Sequence, residues 1–136
     1  MSTTCTCARI RRSSRTLTAL YDAALAPLGL STTQFSLLRT LDRTGPTTIG
    51  VLAETTAHER STLSRIVKPL AAQGLVELAA SEDRRERPIA LSPAGRALLA
   101  DALPRWQSVQ ARVDAHLGAD GAVLKSLLER IEDLRA

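Results

Sequence analysis

Arg60, Ser61, Thr62, Ser64, Arg65 and Lys68 crowd long cations and short hydroxyls into nine residues. On an α-helix turning about 100° per residue, Ser61, Arg65, Lys68 and Ala72 share one face. Leu63, Val67 and Leu70 lie opposite, while Thr62 and Ser64 flank the polar side. Short hydroxyls let a helix come close to the edges of DNA bases, and arginine pairs bidentately with guanine. Sparse long groups among small neighbours suit insertion into a major groove. Taken alone, the same face also fits a solvated helix.

A second basic cluster shifts that balance. Arg84, Arg85 and Arg87 stand in or beside the polar stretch Ser81–Glu86, where no core requires them. Arginine on a hairpin tip can track phosphates or enter a narrow minor groove. Asp83 would be repelled by phosphate, so its expected role is to hold Arg85 or the turn by hydrogen bonds.

Chemistry that breaks bonds is poorly supplied. The chain has no Gly-rich phosphate loop, no His/Glu metal spacing, and no nucleophile with a base and an orienting group. Ser61, Ser64 and Ser92 read as groove contacts and a helix cap. His58 and His116 are isolated from other metal-ligand types. No catalytic residue, metal site or cofactor is expected.

The elements that must position these groups follow from periodicity. A length of 136 residues suits one domain. Hydrophobic residues make up 44% and aromatics 2%, namely Tyr21, Phe35 and Trp106, so the core must be aliphatic. Apolar or small residues at Ile10, Ser14, Leu17, Tyr21, Ala24 and Leu28 mark one face of a helix from about Ala8 to Ala26, which Pro27 and Gly29 end. Ser31 to Gln34 forms a capping box for a second helix that buries Phe35, Leu37, Leu38 and Leu41.

Gly45-Pro46 breaks the chain, and Thr48 caps a third helix through Glu54. The fourth runs from about Glu59 to Gln73, with Leu63, Ile66, Val67 and Leu70 inward and Gly74 as its stop. Residues 75–80 and 87–91 read as a β-hairpin. Ser92-Pro93 opens a long fifth helix with Leu98, Ala102, Trp106, Val109, Val113 and Leu117 on its stripe; Pro104 should kink it. Gly118 ends that helix, and Asp120 caps a last one carrying Leu124, Leu127, Leu128, Ile131 and Leu134. The fold class is therefore mainly α with a small β-hairpin wing, a winged helix-turn-helix of the α+β kind.

The net charge of +4 suits a polyanionic partner without identifying it. The opening residues lack the apolar core of a secretory signal, and Pro27 and Gly29 break the longest uncharged run, Ala23–Leu38. Cys5 and Cys7, separated by one residue, are poor structural disulfide partners. No membrane role is expected, and the cytoplasm is the expected compartment. The terminal helices carry more apolar surface than a small winged unit covers, so a two-fold homodimer is expected.

The run Leu52-Ala53-Glu54, Arg60-Ser61-Thr62-Leu63-Ser64-Arg65, Pro69-Leu70, Gly74-Leu75-Val76, Asp83-Arg84-Arg85 and Leu91-Ser92-Pro93-Ala94-Gly95 resembles the MarR family of winged helix-turn-helix regulators. Leu28-Gly29-Leu30 and Thr33-Gln34-Phe35 extend the likeness over nearly the whole chain. It implies a homodimer joined through residues 8–30 and 92–136, with residues 31–91 binding inverted-repeat double-stranded DNA, usually as a repressor. Two positions depart from the family pattern. Ala57 stands where glycine is common, and Glu59 where Asp or Ser is common.

The resemblance also implies a switch. In the family's organic-peroxide-sensing branch a reactive cysteine precedes a Ser-Arg pair on helix one. Cys7 before Ser14-Arg15 is similar, and Tyr21 falls where that branch places a tyrosine reaching across the dimer. Arg11 replaces a second tyrosine. Arg9, Arg11 and Arg12, with a helix N-terminus, would favour a thiolate, and Cys5 could resolve an oxidised Cys7. A small-molecule effector, or a soft metal or arsenical held by the two thiols, is the alternative to an oxidant. Incidental cysteines in a frayed terminus, and a winged-helix protein-interaction module without DNA binding, complete the range.

Overall fold

The computed structural model describes residues 4–79 and 87–135. Six helices and one hairpin follow in order: α1 (Thr6–Leu25), α2 (Thr32–Thr44), α3 (Ile49–Thr56), α4 (Arg60–Ala72), β1 (Val76–Leu78), β2 (Ile89–Leu91), α5 (Pro93–Leu117) and α6 (Asp120–Glu132). A 3-10 turn, Ala26–Leu28, closes α1. The fold is mainly helical, with a two-stranded antiparallel sheet in which Val76 pairs with Leu91 and Leu78 with Ile89. Thr47 adds one bridge, exchanging two backbone hydrogen bonds with Ile89 at 3.0 and 2.7 Å. The sequence carries no strand pattern there.

The helix starts are chemically explicit. Gln34 N–H donates to Ser31 Oγ while Ser31 N–H donates to Gln34 Oε1, the reciprocal capping box. Asp22 on α1 reinforces this start, accepting from both the backbone N–H and the hydroxyl of Thr32. Thr48 caps α3 through Val51 N–H. Asp120 departs from expectation. The residue before α6 is Ala119, in helical conformation with no side-chain cap, and Asp120 is the helix's first residue. Its carboxylate there still complements the helix dipole.

Pro104 does not break α5, which runs through it as one helix. The missing N–H falls beside exposed Ala100, whose carbonyl water can satisfy. Ala57 closes α3 at φ 55°, the left-handed region. This is where the sequence substitutes alanine for the family's common glycine, at a cost of about 1 kcal/mol.

The core is aliphatic. Leu25, Leu38, Leu41, Leu52, Leu63, Leu70 and Ile89 are the largest fully buried side chains, each contributing about 1.5–3 kcal/mol. They unite α1 to α4 with the hairpin, and Leu99, Ala102 and Trp106 of α5 pack against them. The hairpin's base is fastened to α5 by a compact clasp. Ser92 hydroxyl donates to Gly74 C=O at 2.6 Å and accepts from Gly95 N–H at 3.0 Å, while Ser92 N–H donates to Leu75 C=O at 3.1 Å. A Cβ on Gly95 would run into that Leu75 carbonyl and lie 2.8 Å from Leu91 Cδ1.

This close approach sets a stability prediction. Gly95→Ala should lower unfolding stability by about 1–3 kcal/mol, seen as an earlier denaturant midpoint. Gly121→Ala is the control: its Cβ would meet Leu117 Cβ at an ordinary 3.6 Å, and it should be neutral or stabilising.

Candidate nucleic-acid interface

Helix α4 divides as its sequence pattern requires. Leu63, Val67 and Leu70 are buried and Ile66 half-buried, whereas Ser61, Thr62, Ser64, Arg65, Lys68 and Ala72 are exposed. At about 1.5 Å rise per residue the helix is roughly 20 Å long, enough to span a major groove about 12 Å wide. The turn Ala57–Glu59 joins it to α3. Glu59 is its extended N-cap but contributes no side-chain hydrogen bond. The first-turn amide groups therefore remain open to another acceptor.

Arg60 behaves differently from the other polar residues of α4. Its guanidinium lies against Gly50 of α3, where an added Cβ would be 2.7 Å from Nη2. In this conformation it spans the two helices rather than extending from the exposed face. Among the described residues the ion pairs are Arg96–Asp42 and Lys125–Asp114, so Arg65, Lys68 and Arg87 have no carboxylate partner there. Arg87 is exposed two residues before β2. Asp83, Arg84 and Arg85 lie outside the described residues.

The N-terminal candidates sit far along α1 from the aromatic cluster. Cys5 is the extended N-cap of α1 and Cys7 lies in its first turn; both thiols are free and exposed. Fourteen residues separate Cys7 from Tyr21. That spacing is roughly 21 Å of helix, so the two do not meet within one chain. Tyr21 hydroxyl instead donates to Gln110 Oε1 at 2.6 Å, and Gln110 Nε2 donates to Asp114 Oδ1 at 2.9 Å. Lys125 of α6 stands 3.8 Å from the same carboxylate oxygen.

Comparison with known proteins agrees with this geometry. The MarR family model matches residues 28–86. The transcriptional regulator MosR of M. tuberculosis, solved in complex with DNA, is 38% identical, covers 93% of this chain and 92% of its own, and superposes with a TM-score of 0.84. A probable transcriptional regulator from Pseudomonas aeruginosa is 31% identical over 90% of this chain and 92% of its own, with a TM-score of 0.80. This chain belongs to the MarR family of transcriptional regulators. A MarR-family protein of Mycobacterium tuberculosis solved with salicylic acid is 28% identical over 96% and 98% of the two chains, with a TM-score of 0.71. A search of curated proteins finds no significant match.

Sequence reasoning missed the residues that join the two ends of this MarR-family chain. All three aromatics form one cluster around Trp106: Tyr21 and Trp106 centroids are 6.3 Å apart and Phe35 and Trp106 6.0 Å, each pair inclined by 25°. Arg39 places its guanidinium carbon 4.2 Å from the centre of the Trp106 ring. A cation four residues after Phe35 on one helical face was the available signal. Gln110 offered none, because its partner is 89 residues away.

Burial raises the Tyr21 hydroxyl above its ordinary pKa of 10.0, and the Asp114 carboxylate raises it further. The folded chain therefore holds this proton more tightly than the unfolded chain does. The resulting stability is complete below the unfolded value and drains away as pH climbs through the folded one. Tyr21→Phe should cost about 1 kcal/mol at neutral pH through the lost hydrogen bond. Its denaturation midpoint should then fall less steeply than that of the native chain as pH climbs from neutral past 10.0.

Proposed function

We propose that this chain is a sequence-specific double-stranded-DNA-binding repressor, acting as a homodimer on an inverted-repeat operator. One observation carries the reading: an exposed Ser61/Arg65/Lys68 face, its cations without a carboxylate partner among the described residues, backed by buried Leu63, Val67 and Leu70. A regulator 38% identical to it is solved with DNA. Arg65 and Lys68 would enter the major groove with the hydroxyls of Ser61, Thr62 and Ser64 near base edges. Arg84, Arg85 and Arg87 of the wing would follow phosphates or the minor groove. Arg60 would add a phosphate contact once its head leaves Gly50.

The dimer reading rests on apolar surface left uncovered by the single chain. Residues 8–30 and 92–136 would pair across a two-fold axis, leaving residues 31–91 as two outward heads. Val123, Leu124, Leu127, Ile131 and Leu134 are exposed along α6 and its end, and Leu17 and Leu20 along α1. Isologous burial would cover both sets.

Release is assigned to Cys7. An organic hydroperoxide transfers one oxygen to the Cys7 sulfur, leaving an alcohol and a sulfenic acid. Cys5, two residues away, condenses with it to a disulfide and releases water. Both exposed thiols border α1, the helix that would link the heads. A small-molecule effector is the second reading, favoured by the family member solved with salicylic acid.

Gel shifts against DNA upstream of the chain's own gene test both parts. Arg65→Ala should cost about 1–3 kcal/mol at particular base pairs, whereas Arg85→Ala should weaken binding to any DNA and flatten its salt dependence. Unchanged binding in both variants would sink the assignment of these faces. Cys7→Ser should bind operator normally and no longer release it on treatment with an organic hydroperoxide. Release that persists in this variant rules out sensing at Cys7.

A further inference from the structure

Gly50 lies in the first turn of α3 without a backbone reason for being glycine. It is not among the residues with positive φ, and within a helix glycine is less stable than alanine. The three atoms nearest to an added Cβ all belong to the Arg60 guanidinium: Nη2 at 2.7 Å, Cζ at 3.1 Å and Nε at 3.5 Å. Three atoms of one planar group at that range mean that the guanidinium covers the place a side chain would take. Gly95 is the contrast, since its Cβ would meet the backbone carbonyl of Leu75. Backbone cannot step aside, whereas the tip of a flexible side chain can.

Arg60 is the first residue of α4 and Gly50 the second of α3, so the side chain runs from one helix start to the other. The positive ends of both helix dipoles lie along that path, which disfavours a cation. Among the described residues Arg60 has no carboxylate partner to offset this. Contact with Gly50, not charge, holds the head in place. A cation held this way gives up little when it moves to a phosphate.

We propose that Gly50 is the seat of a gated DNA contact, holding the Arg60 head against α3 in the free chain and yielding it to a DNA phosphate on binding. The gate rests on the reading of α4 as the DNA-reading helix and deepens it. Unseating the head adds one phosphate contact and subtracts the contact with Gly50. Gly50 therefore tunes how tightly any duplex is held and leaves the preference among sequences unchanged, because phosphate contacts carry no base information.

The seat is read without DNA, as a nuclear Overhauser contact between Arg60 Hε and the Gly50 Hα protons of the intact chain at mildly acid pH. Its absence overturns the proposal. The gate is read by titrating the duplex upstream of the chain's own gene, and an unrelated duplex, over a range of salt concentrations. Gly50→Ala closes the seat and should tighten binding to both duplexes by roughly two- to fivefold. Arg60→Gln should weaken both and lower the salt slope by about 1. In the Arg60→Gln background Gly50→Ala should leave affinity unchanged, since no guanidinium remains to be expelled.

An unchanged or weakened affinity in Gly50→Ala overturns the gate, as does an unaltered salt slope in Arg60→Gln. An equal gain in both backgrounds also overturns it, because alanine's helix preference alone would then be the cause. So does a denaturant midpoint lowered by Gly50→Ala, which would make the contact a brace between α3 and α4. A native chain that binds neither duplex sinks the regulator reading together with the gate. Native binding with an unresponsive Gly50→Ala sinks the gate alone.

Discussion

Trp106 stands where three helices must agree on one position. It is carried by α5, stacks against both Tyr21 of α1 and Phe35 of α2, and has Arg39 over its ring. The rest of the core is aliphatic and fills space without strong directional preference. Aromatic pairs do have preferred geometries, worth about 0.5–1.5 kcal/mol beyond the area they bury. A chain whose three aromatics form two pairs sharing Trp106 ties its long terminal helices to its central unit at that point. Tyr21 extends the tie through Gln110 and Asp114 towards Lys125 of α6. The packing thus joins α1, α2 and α5 at one point.

The second fixed joint is the clasp of Ser92, Gly74, Leu75 and Gly95. It settles where the hairpin leaves α4 and where α5 begins, using one hydroxyl as both donor and acceptor. Between the joints lies α4, held by Leu63, Val67 and Leu70 with its opposite face clear. A recognition element needs this combination of a rigid mount and an uncluttered outer face. Its side chains must be presented at a set spacing without being consumed by contacts of their own.

Much of this was legible because it is local. The Ser31–Gln34 box, the Thr48 and Ser92 caps, the Gly74 stop and the inward leucines of α4 depend on residues within one or two turns of each other. Local rules failed where two residues compete for one role. Asp120 is a good cap by type, but Ala119 already adopts helical angles and starts the turn ahead of it. Arg60 reads as one more cation on α4, yet the space above Gly50 draws its head onto α3. Contacts between distant segments were not legible. Nothing near Tyr21 announces Gln110, and nothing near Thr47 announces a bridge to Ile89. Of the candidate site, the exposure of Ser61, Arg65 and Lys68 on α4 was readable, whereas the placement of Arg60 and of Arg39 was not.

What the single chain leaves uncovered bears on how its two ends communicate. Only Gly121 of α6 is buried, while Val123 is 56% and Leu134 74% exposed. Covering that surface with a second copy would place α1, α5 and α6 at a shared interface and turn both α4 faces outward. Cys5 and Cys7 would then lie at the start of a helix whose far end is stacked on Trp106. A change at one end of α1 would reach the central unit through the position that α1, α2 and α5 hold in common.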